Sequence, residues 1–131
     1  MKVKIHLTLL FILVIGCKTN QRVNKLKEGR WVYQNIIQND TFDYIEKYHQ
    51  GTEIKKWKTY RNKKIYKTEK FKNGICIVTN YYPNGKIMNQ GKTKSEIKND
   101  LLHWYYFGNW NYYDKSGKLI EIRKYENGIL H

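Results

Sequence analysis

Glycine or a polar turn-forming group recurs about every 11 residues from Gly29 onward, and this spacing leaves room only for short elements. Longer steps of 22, 23 and 23 residues separate three pairs of glycines, namely Gly29 and Gly51, Gly51 and Gly74, and Gly85 and Gly108. Where a half-step lacks glycine, polar groups stand at residues 39–40, 61–63 and 97–100. The intervening segments are rich in β-branched and aromatic residues, which predicts strands.

Three of the turns carry the dipeptide Asn-Gly, at Asn73-Gly74, Asn84-Gly85 and Asn127-Gly128. Asn and Gly tolerate positive φ at both central positions, as the favoured two-residue hairpin turn requires. A large apolar residue stands three positions before several turn glycines, as at Tyr48 and Tyr125. We therefore predict an all-β fold, an antiparallel meander of β-hairpin repeats of about 22–23 residues each.

The wording of these repeats resembles the MORN-variant repeats of bacteria, some of which are YwqK-type antitoxins. The matching segments are residues 71–75, 81–87, 108–119 and 124–129, and the clearest is Gly108-x-Trp110-x-x-Tyr113 followed by Gly117 and by Tyr125-x-x-Gly128. Gly29-x-Trp31 echoes the start of the motif. The resemblance implies a repeat β-sheet and little chemistry, and it suggests that the protein neutralises a toxic partner.

The first 17 residues predict a cell-envelope location. Lys2 and Lys4 precede an apolar run over residues 7–15, and Val14-Ile15-Gly16-Cys17 follows. This is the order of a secretory signal, and its last four residues resemble the lipobox of bacterial lipoproteins. The resemblance implies cleavage after Gly16 and a diacylglycerol on the Cys17 thiol, with further acylation of the new amino group. Several acyl chains would anchor the protein stably to a membrane.

The predicted domain organisation is a signal peptide at residues 1–16, a lipidated Cys17 with a polar tether over residues 17–28, and a repeat domain over residues 29–131. Lys18 follows the cysteine, where an Asp would signal inner-membrane retention in enterobacterial lipoproteins. The resemblance therefore favours the outer membrane in a host that has one.

The chain is strongly basic, with 25 Lys and Arg against 11 Asp and Glu. Lys supplies 21 of the basic residues and Ala is absent, which is typical of an AT-rich genome. Nucleic-acid binding would favour Arg and does not fit an envelope location, so no nucleic-acid partner is expected. The densest basic and aromatic region, over residues 55–72, is the candidate binding surface, with Lys55, Lys56, Trp57, Lys58, Arg61, Lys63, Lys64 and Tyr66 as its members. It would suit anionic lipid or an acidic partner; a solvated hairpin whose lysines protect sheet edges is the alternative.

No catalytic or metal-ligating pattern stands out. After the predicted signal peptide, the histidines are scattered at positions 49, 103 and 131, and Asp43 and Glu46 would lie on opposite faces of a strand. Cys76, within an apolar run, is interpreted as a small buried hydrophobe. Residues 104–107, with Trp110, Tyr112 and Tyr113, suggest cross-strand aromatic packing more than an exposed binding strip. We predict no enzyme activity and no cofactor.

The sequence thus favours a membrane-anchored envelope lipoprotein whose repeat domain binds a protein of unknown identity or the membrane surface. An antitoxin or immunity protein is the alternative from the resemblance. Binding of anionic lipid through residues 55–72 is the other.

Overall fold

A computed structural model describes residues 18–131, which form one antiparallel sheet. Its strands are β1 (Gln21–Val23), β2 (Leu26–Ile37), β3 (Asp40–His49), β4 (Thr52–Glu53), β5 (Lys55–Arg61), β6 (Lys64–Lys72), β7 (Ile75–Tyr81), β8 (Ile87–Lys98), β9 (Leu101–Tyr113), β10 (Leu119–Glu126) and β11 (Ile129–Leu130). Each strand pairs with its neighbour in the chain, except that β4 pairs only with β3, which also pairs with β5. The predicted all-β meander of hairpins is confirmed.

The predicted signal peptide and the predicted lipidation site, Cys17, lie outside the described residues. Residues 21–28, within the segment interpreted as a tether, form a hairpin in which β1 pairs with the start of β2. No helix in the described part of the chain has the length and hydropathy needed to cross a bilayer.

Most hairpins turn on two residues with positive φ, as the Asn-Gly pairs predict. Between residues 18 and 131 such pairs occur at Asn24-Lys25, Gln38-Asn39, Gln50-Gly51, Asn62-Lys63, Asn73-Gly74, Asn99-Asp100 and Asn127-Gly128. This mirror-image turn matches the right-handed twist of the strands that it joins. The turn at Asn84-Gly85 is different. The Gly85 amide donates to the Tyr82 carbonyl, so Pro83 and Asn84 are the central residues of this turn. Pro83 is restricted to negative φ, and only Gly85, which follows the central pair, has a positive φ.

Two predicted turn glycines are not in turns. Gly29 lies inside β2 opposite Tyr48, and Gly108 lies inside β9 opposite Tyr125, both with positive φ. In each case the amide of the glycine three residues after the tyrosine donates to a carbonyl two residues before the strand glycine, at 2.9 Å. The Gly-x-Trp and Tyr-x-x-Gly segments therefore pair across two strands and do not mark successive turns.

The two copies of this pairing have nearly the same aromatic geometry. The rings of Trp31 and Tyr48 lie 6.3 Å apart at 76°, and those of Trp110 and Tyr125 lie 6.5 Å apart at 74°. The internal repeat is thus present in the structure as well as in the amino-acid sequence.

The sheet curls toward one face, which we call the inner face. Phe71 on β6 and Trp104 on β9 are three strand steps apart, about 14 Å in a flat sheet, yet their ring centroids lie 5.8 Å apart. The small buried core lies on this face and consists of Cys76, Val78 and Trp110. Residues that are paired across strands share a face, so the register assigns the remaining side chains to the inner or the outer face.

Candidate binding surfaces

A continuous row of aromatic rings crosses the inner face. Trp31, Tyr48, Trp57, Phe71 and Trp104 come from five strands, and successive centroids lie 6.3, 4.9, 4.6 and 5.8 Å apart. Edge-on and tilted pairs at these distances add stabilisation beyond the burial of their area. Trp104 is the member of this row for which cross-strand aromatic packing was expected, and it packs on Phe71.

A second aromatic group lies further along β9 and β10. The ring of Tyr106 stacks on Trp110 at 4.2 Å, and Tyr125 packs edge-on against both. The indole N–H of Trp110 donates to the Lys92 carbonyl at 3.1 Å, so this buried ring has its polar atom paired. Trp110 is therefore fully buried and contacts both tyrosine rings.

A cleft of about 330 Å³ opens between these two aromatic groups. Cys76 and Val78 line it with Trp110, while Trp104 and Tyr106, at 40% and 43% exposed, also border it. Its polar lining includes the Lys67 ammonium and the Glu69 carboxylate, which form an ion pair at 3.1 Å. The cleft thus combines exposed aromatic edges with a few polar groups, the composition that suits recognition of a partner.

Cys76 does not contribute a reactive thiolate to this cleft. The side chain is buried, as predicted, and its burial raises the pKa of the thiol to about 11. A thiol with this pKa is almost wholly protonated near neutral pH and is a poor nucleophile.

A buried carboxylate holds the other end of the inner face together. Glu46 accepts hydrogen bonds from the hydroxyls of Tyr33 at 2.6 Å and Tyr48 at 2.8 Å. Burial, together with the hydrogen bond to Glu46, raises the pKa of both tyrosines. The Lys27 ammonium lies 3.7 Å from the same carboxylate and over the rings of Trp31 and Tyr48. Both carboxylate oxygens are occupied, so this cluster is a packing element and offers no open acid or base.

The sheet distributes the predicted surface of residues 55–72 over both faces and one turn. Lys56 and Lys58 project from the outer face, whereas Trp57 lies in the aromatic row on the inner face. Lys55 begins β5 with positive φ, opposite Phe71. The remaining members lie near the β5–β6 turn, where Arg61 pairs with Asp40, Lys63 pairs with Asp43 at 2.9 Å, Tyr66 packs on Phe42 and Lys64 borders a separate recess.

The outer face instead carries a set of six exposed lysines on β5, β6 and β8, which we call the lysine face: Lys56, Lys58, Lys70, Lys72, Lys92 and Lys94. Two of them, Lys92 and Lys94, lie outside the predicted region. The alternation of lysine in Lys92-Thr93-Lys94 was the available signal, but only the register shows that this segment shares a face with Lys56 and Lys70.

The comparisons with known proteins add no identity, since no protein-family model, curated protein or solved structure matches this chain. The resemblances to bacterial lipoproteins and to MORN-variant repeats therefore stay predictions. Among residues 18–131, no group of three or more His, Cys, Asp or Glu is placed to hold a metal ion.

Proposed function

We propose that this protein is a lipid-anchored envelope protein whose inner face binds a protein partner without catalysis. The observation that supports this function best is the pair of half-exposed rings, Trp104 and Tyr106, beside the cleft. Large aromatic side chains at the edge of a recess are the residues that contribute most to protein–protein affinity.

The two exposed rings are already packed against neighbouring rings before a partner binds. Trp104 packs edge-on against Phe71, and Tyr106 stacks on Trp110, so a partner would contact side chains whose orientation is already set by packing. Pre-ordered side chains lose little rotamer freedom on binding, which lowers the cost of association. Anchoring rests on the lipobox, and it would hold this surface close to a membrane.

The anchor is tested first, by intact mass and membrane fractionation of the wild type and Cys17→Ser in a bacterial host. We expect the wild type alone to carry the mass of the acyl chains, and we expect the Cys17→Ser variant to be absent from the membrane fraction that holds the lipidated wild type. If both proteins lack acyl mass and stay soluble, the lipoprotein part of the proposal fails.

The inner face is tested by in-cell crosslinking with the double variant Trp104→Ala and Tyr106→Ala. The matched control is Ile36→Ala with Ile120→Ala, because these side chains are also exposed and apolar but do not line the cleft. We expect one defined protein to crosslink to the wild type and the control, and to be lost from the inner-face variant. Equal crosslinking by all three folded proteins would exclude the inner face as the binding surface.

The antitoxin or immunity role is an outcome of the same experiment. A captured partner that arrests growth when it is expressed alone, and is neutralised by the wild type but not by the inner-face variant, would establish that role. Anionic-lipid binding by residues 55–72 is the remaining alternative, and the exposed lysines of the outer face favour a modified form of it.

A further inference from the structure

We propose that the lysine face binds the anionic headgroups of a lipid bilayer, so that the sheet lies with its outer face on the membrane and its aromatic inner face turned away. The inference goes beyond the proposed function because it assigns a second surface, a different ligand and an orientation. Its ligand chemistry is the phosphate or phosphodiester of an anionic phospholipid.

The register places the lysines in a regular two-dimensional array. Lys56 lies directly opposite Lys70, whose other neighbour is Ile77, and Lys92 follows on the far side of Ile77. Lys58 and the pair of Lys72 and Lys94 lie one step to either side along the strands. Neighbouring strands are about 4.8 Å apart and successive residues on one face about 7 Å apart, so the charges cover an area of several headgroups.

Charge is segregated between the two faces of these strands. On β5–β8, Glu69 lies on the inner face, and the only carboxylate on the outer face is Glu96, at the rim beyond Lys94. On the neighbouring strand β3, Asp43 lies on the outer face and is paired with Lys63. Within residues 18–131, none of the six lysines forms an ion pair, whereas Lys67 on the inner face pairs with Glu69.

This arrangement is unfavourable for the isolated sheet. Like charges directly opposite each other, such as Lys56 and Lys70, destabilise strand pairing. An anionic surface would relieve that repulsion, and each lysine near such a surface adds to the attraction. A composition rich in lysine explains their number but not their placement on one face.

The chemistry favours a bilayer over a nucleic acid. The side chains between the lysines are Ile and Thr, and the aromatic residues that border the array, Phe107 opposite Lys92 and Tyr105 opposite Lys94, lie at its β9 edge and are half-buried. No ring therefore stands between the lysines on which a base would stack. The array contains no Arg, whose planar fork would be expected for bidentate recognition of phosphate or carboxylate. Compact, flexible ammonium groups suit a mobile layer of headgroups.

The experiment is vesicle co-sedimentation with the full chain carrying Cys17→Ser, so that no acyl chain contributes. Vesicles of phosphatidylcholine alone are compared with vesicles that also contain phosphatidylglycerol. The test variant replaces Lys56, Lys70, Lys92 and Lys94 by Gln, and the control variant replaces Lys18, Lys25, Lys115 and Lys118, none of which lies on the outer face of β5–β8, by Gln. Both variants lose the same charge from exposed positions.

We expect the test variant to lose about tenfold or more of its partitioning to phosphatidylglycerol vesicles, the control to stay within about threefold of the parent, and neutral vesicles to show no difference. Equal losses in both variants would reduce the effect to net charge and overturn the proposal. Binding of each protein to duplex DNA and to polyglutamate is measured in parallel. If the test variant loses binding to one of these polymers but not to the vesicles, the proposal is overturned in favour of another polyanion. Far-UV circular dichroism of each variant verifies that the sheet is retained.

The experiments distinguish failure of the lipid-binding proposal from failure of the proposed protein-binding function of the inner face. Loss of lipid binding in the lysine variant with crosslinking intact would leave both surfaces assigned. Crosslinking that depends on the lysines and not on Trp104 and Tyr106 would instead contradict the inner-face function.

Discussion

The indole ring of Trp110 lies directly over the backbone of Gly91 on the neighbouring strand. A Cβ built on Gly91 would stand 2.1 Å from the ring, well inside any real contact distance. The glycine does not have a positive φ, so the reason for it is the space above its Cα. Because Trp110 forms one wall of the cleft, the absence of this one side chain shapes the inner face.

We expect Gly91→Ala to destabilise the fold by about 2–4 kcal/mol, because the rigid ring must move and leave its packing. Gly29→Ala is the matched control, since a Cβ there meets nothing within 4 Å and only the positive φ of +71° is strained. That variant should lose about 1–2 kcal/mol. Urea unfolding measures both, and Trp110→Leu in the Gly91→Ala background should recover part of the loss. A Gly91→Ala protein as stable as wild type would contradict the packing.

Glu46 gives a second test. Replacing it by Ala leaves the hydroxyls of Tyr33 and Tyr48 without their acceptor, so we expect a loss of about 2–3 kcal/mol in the free energy of unfolding. The control is Glu121→Ala, which removes an exposed pair with Arg123 and should cost less than about 1 kcal/mol. If the two variants lose similar amounts of unfolding free energy, the buried hydrogen bonds of Glu46 stabilise the fold no more than an exposed ion pair does.

Stability should fall in acid because of the carboxyls near the β5–β6 turn. A hydrogen bond from Arg61 lowers the pKa of Asp40, and one from Lys63 lowers the pKa of Asp43, both from the ordinary value of 3.8. The unfolded chain therefore binds protons first, and the stabilisation is present above that value and is lost as pH falls through the lowered pKa. Between about pH 5 and pH 2, Asp40→Asn with Asp43→Asn should lose less stability than wild type. Parallel pH curves would rule this linkage out.

Turn chemistry offers a stabilising change. Asp100 holds φ at +60° in the Asn99-Asp100 turn, a conformation that glycine adopts without steric cost. We expect Asp100→Gly to raise the free energy of unfolding by about 0.5–1 kcal/mol, and Asn73→Ala, in a turn that already has glycine, to lower it by a similar amount. Thermal and urea unfolding give the sign of each change, and a destabilised Asp100→Gly protein would refute the assignment.

The Cys76 thiol provides a probe of opening. Since it is buried with a pKa of about 11, iodoacetamide should label it only when the sheet opens. The measurement uses the Cys17→Ser background so that Cys76 is the single thiol. Labelling should accelerate across the urea transition, and rapid labelling of the folded protein at neutral pH would contradict the burial.

The sequence alone determined the class of fold and most of the turns. Asn-Gly pairs, polar turn groups and short β-branched and aromatic segments act locally, and local preferences suffice to predict a meander in which each strand pairs with the next. The same local signals were wrong for Gly29 and Gly108, because a glycine with positive φ serves inside a strand as well as in a turn.

The tertiary structure decided everything that depends on register and curvature. Which lysines share a face, which rings meet across three strands and why Gly91 carries no side chain follow from the pairing of strands far apart in the chain. A shift of one residue in that pairing would exchange the two faces of a strand. The binding surfaces are therefore properties of the assembled sheet, and the hairpins that build it are properties of the sequence.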